Sequence, residues 1–357
     1  MGKLKLYLII AGVFVFMMLG FTSLRSARPI VELKAESLAN LGSLPILGTI
    51  SLTNTMLTSW IVIAFIIGVA FLATRKMSLV PSGLQNLFEM AVEFLYNLVV
   101  NTAGEKHGRR FFPVIATIFF YVMICNWFGL LPGVATVGKV EPMQSESSAV
   151  LEKGTVFQSV GGVSMIMPGL PSWPPHEPPS VTLDLPANST PAQGEEALAE
   201  ATKDLKSNQK AGLLVPFFRS VNTDLNSTLA LAIISAIFVE FWGISTMGFF
   251  RYGSKFINLK NGVIGFFVGI LEFIAEAARL LSFTFRLFGN IFAGEILVTV
   301  IMFMMPLVVL DLVYGLELFF GLIQAFIFAM LTLVFGVLAV TSHEGGEDHE
   351  GEPSLSS

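Results

Sequence analysis

The sequence has 357 residues, 54% hydrophobic and only 13% charged, with 33 phenylalanines and a mean hydropathy of +0.73. Such a composition excludes a soluble globular domain and describes an integral membrane protein. The net charge of −5 does not point to nucleic acid, because the acids gather in one long loop and the C-terminal tail while Lys and Arg flank the apolar runs. The single cysteine, Cys125, excludes an internal disulfide framework and a multi-cysteine metal site. His107, His176, His343 and His349 lie outside the apolar runs, so no haem ligands stand inside a bundle and no cofactor is expected.

In residues 1–28, Lys3 and Lys5 precede an apolar run from Leu6 to Phe21, and Arg25 and Arg28 follow it. This is a signal peptide or an N-terminal anchor, and the lack of a clean small-x-small pair leans towards retention. The next span, Thr53 to Ala73, closes on Arg75 and Lys76, which the positive-inside rule places in the cytoplasm. Ser82 and Gln85 then stand at capping-box spacing. Beyond them Asn86, Glu89, Glu93 and Asn97 oppose Leu87, Phe88, Ala91, Leu95 and Leu98, a pattern that predicts an amphipathic helix on the inner membrane surface. The plainer alternative is an extension of the following span.

Lys106, Arg109 and Arg110 open the span from Phe111 to Leu131, which completes a first membrane region over 29–132. Residues 133–220 are rich in Pro, Ser and Glu, most densely from Pro171 to Pro179, and predict a partly disordered extracytoplasmic loop with a helical patch from Glu195 to Lys206. Asn188 and Asn226 open glycosylation patterns too short to carry weight. The membrane region resumes over 221–342. Its first span, Ser227 to Phe250, contains Glu240 and closes on Arg251, Lys255 and Lys260. Residues 343–357 form an acidic cytoplasmic tail.

No proline interrupts Gly262 to Met305, and a helix of about 44 residues measures roughly 66 Å. A hydrocarbon core is about 30 Å thick, so this helix must tilt strongly or break. Pro306 to Asp311 forms a turn, and Leu312 to Val340 runs back. The expected fold is an all-α integral membrane protein with about five core helices, an N-terminal apolar segment and a long tilted C-terminal hairpin.

Ionisable side chains inside this hairpin need a reason, since each costs about 2.5 to 3.5 kcal/mol at a helix centre. An arginine cannot escape that cost by losing its proton. At roughly 100° per residue, Arg279, Ser282, Arg286 and Asn290 share one stripe. Glu272 and Glu276 extend that side towards the cytoplasm, while Glu295 turns about 180° from Arg286 and lies roughly 13.5 Å further out. Glu317 and Gln324, seven apart, share a face of the returning helix. The layout suits two polar routes, one from each side, that do not join: protons hop along acids, and a fixed cation repels them. The plainer reading is a set of structural ion pairs, such as Glu276 with Arg279, and a Glu240 that snorkels or pairs with an arginine. Gly289 and Gly294 permit close approach of another backbone.

Arg286-Leu287-Phe288-Gly289-Asn290, Ala293-Gly294-Glu295 and Gln324-Ala325-Phe326-Ile327-Phe328 resemble subunit a of the F-type ATP synthase membrane sector. Asn126-Trp127-Phe128-Gly129-Leu130-Leu131-Pro132 and Thr223-Asp224-Leu225-Asn226 resemble the same family's earlier signatures. The resemblance covers about residues 50–340 without the loop. It implies that Arg286 is the family's essential arginine, facing a ring of c subunits, and that Asn290, Glu295 and Gln324 are half-channel positions. Glu272 and Ser282 match polar positions leading to the other side, and Glu317 stands where some relatives carry a histidine. Glutamates at both 295 and 317 leave open which carries the outer proton, and Gly129 stands where some relatives carry an acid.

The resemblance further implies a rotary, proton-translocating stator subunit of a bacterial inner membrane, not catalytic alone. Its partners would be the c-ring, peripheral-stalk b subunits, other synthase subunits and the lipid bilayer. A stand-alone transporter holding an anion on Arg286 would show an internal repeat, and none is visible. An intramembrane hydrolase would need a Ser-His or metal-ligand arrangement within the spans, which is absent from the sequence.

Overall fold

The computed structural model describes residues 35–44, 48–75, 77, 80, 83–131, 134, 137–141, 153–160, 163–165, 180–182, 203, 209–253, 262–304 and 308–341. Two short strands, β1 (Ser37–Leu44) and β2 (Gly48–Thr53), pair antiparallel and lead directly into helix α1 (Asn54–Thr74). The start of α1 is capped from both sides: the Met56 amide donates to Thr53 Oγ1 at 3.3 Å, and the Asn54 amide donates to the Glu36 carbonyl at 3.1 Å. Helix α2 (Leu84–Gly129) follows. After residues 133–220 come α3 (Leu225–Met247), the single turn α4 (Phe249–Gly253), α5 (Gly262–Met304) and α6 (Val308–Thr341).

Among the described residues the long elements are thus all-α, five helices in number. Four of them contain a stretch long and apolar enough to cross a membrane: Asn54–Thr74, Leu84–Gly129, Leu225–Met247 and Val309–Thr341. This is a multi-pass membrane protein. The remaining long helix, α5, has 43 residues and carries the five ionisable side chains from Glu272 to Glu295. The Pro306 turn, the N-terminal apolar segment and the acidic tail lie outside the described residues.

The chain folds as two compact units. One gathers Met1–Trp60, Asn126–Asp224 and Ile291–Phe320; the other gathers Ile61–Cys125, Leu225–Asn290 and Gly321–Ser357. In the second unit α2 is two helices joined at Gly104, whose φ of 74° and ψ of 164° are non-helical; glycine reaches that positive φ without a Cβ penalty. The arms fold back on each other. Phe88 stacks on Phe120 at 5.9 Å, Tyr96 meets Phe112 edge-on at 5.2 Å, and a Cβ on Gly108 would lie 2.9 Å from Val100 Cα. The amphipathic helix expected after Ser82 therefore forms as one arm of this hairpin. Its Leu95 and Val99 are buried, while Leu87, Met90 and Phe94 stay exposed beside Glu89 and Glu93. The unit's core is held by Trp242, stacked on Phe111 at 4.1 Å and packed over Gly336, where an added Cβ would come within 2.7 Å of the indole. Ser235 and Thr332 share a buried hydrogen bond of 2.8 Å there.

The stretch 133–220, expected to be partly disordered with a helical patch, contains a sheet. Strands β3 (Val137–Glu141), β4 (Lys153–Val160), β5 (Val163–Met165), β6 (Ser180–Thr182) and β7 (Gln209–Pro216) assemble in the order β5-β3-β7-β4-β6. The described partners are all antiparallel. These segments are rich in Val, which suits a pleated surface. Pro216 terminates β7, where a missing N–H does least harm. The Pro171–Pro179 run lies outside the described residues, as does the expected helical patch apart from Lys203.

Candidate functional site

In the first unit, the chain leaving β7 runs extended through Arg219 and makes a 3₁₀ turn, Val221–Thr223, before α3. Its polar side chains are buried: Arg219, Ser220, Asn222, Thr223 and Asp224 are all under a tenth exposed. Buried polar groups need partners, and each of these hydrogen bonds supplies one. Asn222 Nδ2 donates to Asn126 Oδ1 at 2.6 Å, and Thr55 Oγ1 donates to Asp224 Oδ2 at 3.1 Å. The Arg219 amide donates to Thr58 Oγ1 at 3.3 Å, whose hydroxyl donates to the Asn54 carbonyl at 2.9 Å. Trp127 Nε1 donates to the Leu318 carbonyl at 3.0 Å.

The Arg219 side chain, 8% exposed, reaches Glu295. Nη2 donates to Oε2 at 3.3 Å, and Nε stands 3.2 Å from Oε1. One residue before Glu295, the Glu317 carboxylate lies directly over Gly294 and occupies the space any Cβ there would take. Glu317 is itself 7% exposed. The two acids expected on the outer route are therefore brought together, with an arginine that sequence reasoning did not single out. At Gly129 an added Cβ would lie 2.5 Å from Ser220 Cβ. Ser220 thus fills the place an acid at position 129 would need.

In the second unit, Arg286 is exposed and, among the described residues, makes no ion pair or hydrogen bond. Ala275, Ala278, Ser282, Phe285 and Gly289 are exposed with it, and Asn290 is half-buried. Phe283 and Leu287 are buried. The expected stripe divides: the Arg279 guanidinium binds Glu276 at 2.7 Å and lies 4.0 Å over the Phe335 ring, leaving Ser282 and Arg286 as the outward pair. The pairings of Phe283 with Phe328 (5.1 Å) and Arg279 with Phe335 run in antiparallel order along α5 and α6.

Glu276, Arg279, Glu240, Ser235 and Phe335 line a cavity of 210 Å³. Tyr252 of α4 packs its ring over Gly243, where a Cβ would collide with it. Burial, then the Glu240 carboxylate beside it, holds the Tyr252 phenol above its ordinary pKa, so it stays neutral. Glu272 is half-buried. Gln324 is 5% exposed, and its Nε2 has no hydrogen-bond partner among the described residues.

A family model described as ATP synthase A chain matches residues 56–336, a stretch that holds Arg219 and every candidate residue from Glu272 to Gln324. The chain belongs to the ATP synthase A chain family. It is 30% identical over 291 residues to ATP synthase subunit a of Gloeobacter violaceus, covering 82% of this chain and 85% of that one. It is 25% identical over 297 residues to ATP synthase subunit a of Moorella thermoacetica, covering 83% and 95%. For an ATP synthase A chain, the polar nest around Arg219 and the bare Arg286 are the features to explain. Of the nest, Asn126 and Asp224 were visible in the sequence as motif residues without a role. Arg219 was hidden at the end of a loop judged by its composition, although an arginine after Phe217 and Phe218 at the edge of an apolar run was the available signal.

Proposed function

We propose that Arg286 divides two offset half-channels through which protons pass to and from the carboxylates of a c-ring. The chain acts in ATP synthesis as the proton-transporting membrane subunit of the synthase and is not an enzyme by itself. The observation that carries the role of Arg286 is its exposure, unpaired among the described residues, on a helix face that also presents Ala275, Ala278, Ser282 and Gly289, with Phe285 beside them. A guanidinium cannot lose its charge, and small neighbours let another helix come close. An outer ring of helices carrying one carboxylate each fits both requirements.

On this reading Glu295, Glu317, Asn290 and Gln324 serve the outer route, and Glu272, Glu276 and Ser282 serve the cytoplasmic one. A proton from outside neutralises a ring carboxylate, which can then turn into lipid. On returning to Arg286 that carboxylate is favoured in its charged form and releases its proton towards Glu272. Each charge moved across 100 mV contributes about 2.3 kcal/mol. The orphaned Gln324 amide supplies a donor for a proton-carrying group on the route. The reading includes a strongly tilted α5–α6 hairpin, a cytoplasmic C-terminus, a bacterial plasma membrane, and peripheral-stalk b subunits as further partners. Arg286→Ala in membrane vesicles tests it: coupled ATP synthesis is expected to fall to background, and synthesis at the wild-type rate would overturn the assignment.

A further inference from the structure

The inward face of α3 is built from small side chains. Ala232, Ser235 and Ala236 leave space in front of Phe273, Leu280 and Phe283 of α5, and the 210 Å³ cavity is the result. The outward face of the same helix carries Ile233, Ile234, Ile237 and Phe241, all exposed. An acid that only snorkelled would stand on that outward face. Glu240 instead is half-buried and lines the cavity, as does Glu276 of α5. Carboxylates from two different helices thus open on one space, whose wall also holds the Arg279 guanidinium, bound to Glu276 at 2.7 Å. Apolar cavities stay dry, whereas a cavity walled by charged groups takes up water, and 210 Å³ has room for several molecules at about 30 Å³ each. Beyond its own burial, the Tyr252 phenol of α4 responds to Glu240, Glu276 and Arg279, so it belongs to the same cluster. Among the described residues α6 adds Phe335 to the wall, which does not titrate, and Arg110 of α2 lies over Phe241 and donates to Ser245.

We propose that Glu240 is a further proton-carrying residue of the cytoplasmic route, joined to the acids of α5 through water held in this cavity. A proton handed from the α5 acids to cavity water adds to a Glu240 oxygen. One proton then leaves that oxygen towards the cytoplasmic side, so the carboxylate is regenerated at each passage and no other bond changes. The inference deepens the proposed function and rests on it: it extends the route from α5 across to α3, behind the face that carries Arg286.

The experiment uses the assembled synthase membrane sector in vesicles, with passive proton flux driven by a potassium diffusion potential and each variant compared at equal c-ring content. Glu240→Gln keeps the size and polarity of the side chain but cannot take up a proton, and flux is expected to fall about tenfold or more. Glu240→His separates carrying from pairing: an imidazole passes protons but cannot serve as a counter-ion to Arg279. Flux in Glu240→His is expected to exceed that of Glu240→Gln by about threefold or more, with a pH profile that follows the imidazole. Glu240→Gln conducting at the wild-type rate, or Glu240→His conducting no better than Glu240→Gln, overturns the inference. A second variant leaves every ionisable group in place. Ala236→Leu fills part of the cavity, and flux is expected to fall about threefold as water is displaced; unchanged flux overturns the link through the cavity. Wild-type vesicles that pass no protons would instead defeat the proposed function itself.

Discussion

Arg219 and Arg286 place the same guanidinium in two different regions of one apolar chain. Around Arg219 the chain supplies everything: a carboxylate at 3.2 Å, a hydroxyl for the amide and a shell of buried Asn, Thr and Asp. Around Arg286 it supplies small exposed side chains and, among the described residues, no counter-charge. The contrast separates two uses of a cation in an apolar chain. A charge matched within the chain stabilises one arrangement of that chain, whereas an unmatched charge on an open face is completed by something outside it.

The sharpest way to break this comparison is to weigh both arginines for stability. Arg219→Ala strands Glu295 and should lower the unfolding free energy of the detergent-solubilised chain by about 3 to 5 kcal/mol. Arg286→Ala should change it by less than about 0.5 kcal/mol, though it abolishes coupling. Equal losses in a denaturation series would erase the distinction. A smaller effect is expected at Gly129, where alanine would press on Ser220 and cost about 1 to 3 kcal/mol. Ser220→Gly should relieve most of that in a thermal melt; no relief would mean that the two positions do not share the space. The smallest effect concerns Arg279, whose charge is matched within its own unit like that of Arg219. Arg279→Lys keeps a cation for Glu276 and loses the flat contact with Phe335, so only about 0.5 to 1 kcal/mol should be lost. A loss as large as that of Arg219→Ala would show that the guanidinium fork, and not the charge, holds this pair.

The membrane helices were legible because a long apolar run has few alternatives in lipid: Thr53–Ala73 became Asn54–Thr74, and Ser227–Phe250 became Leu225–Met247. The fold-back at Gly104 was not, since a glycine within a periodic pattern does not announce a positive φ. The sheet within residues 133–220 was hidden by averaging, because the proline cluster at 171–179 gave its character to strands on either side of it. The stripe on α5 was placed correctly by angle at Ser282 and Arg286. At Arg279 the plainer reading, an ion pair with Glu276, is the one that forms, because a helical wheel fixes the direction of Cβ while a long side chain chooses its own end point, here Glu276 and the Phe335 ring. The meeting of Glu295 with Glu317 followed from hairpin geometry, but its third member came from a distant loop that no periodicity could connect to it.

The Asn54 side chain, which donates to the Pro216 carbonyl at 3.3 Å, fastens the end of β7 to the first turn of α1. Arg219 stands three positions beyond Pro216. The last strand of the sheet is therefore a tether with its knot three residues from Arg219, and any load on the sheet that slid β7 along its neighbours would be felt first at the Arg219 fork.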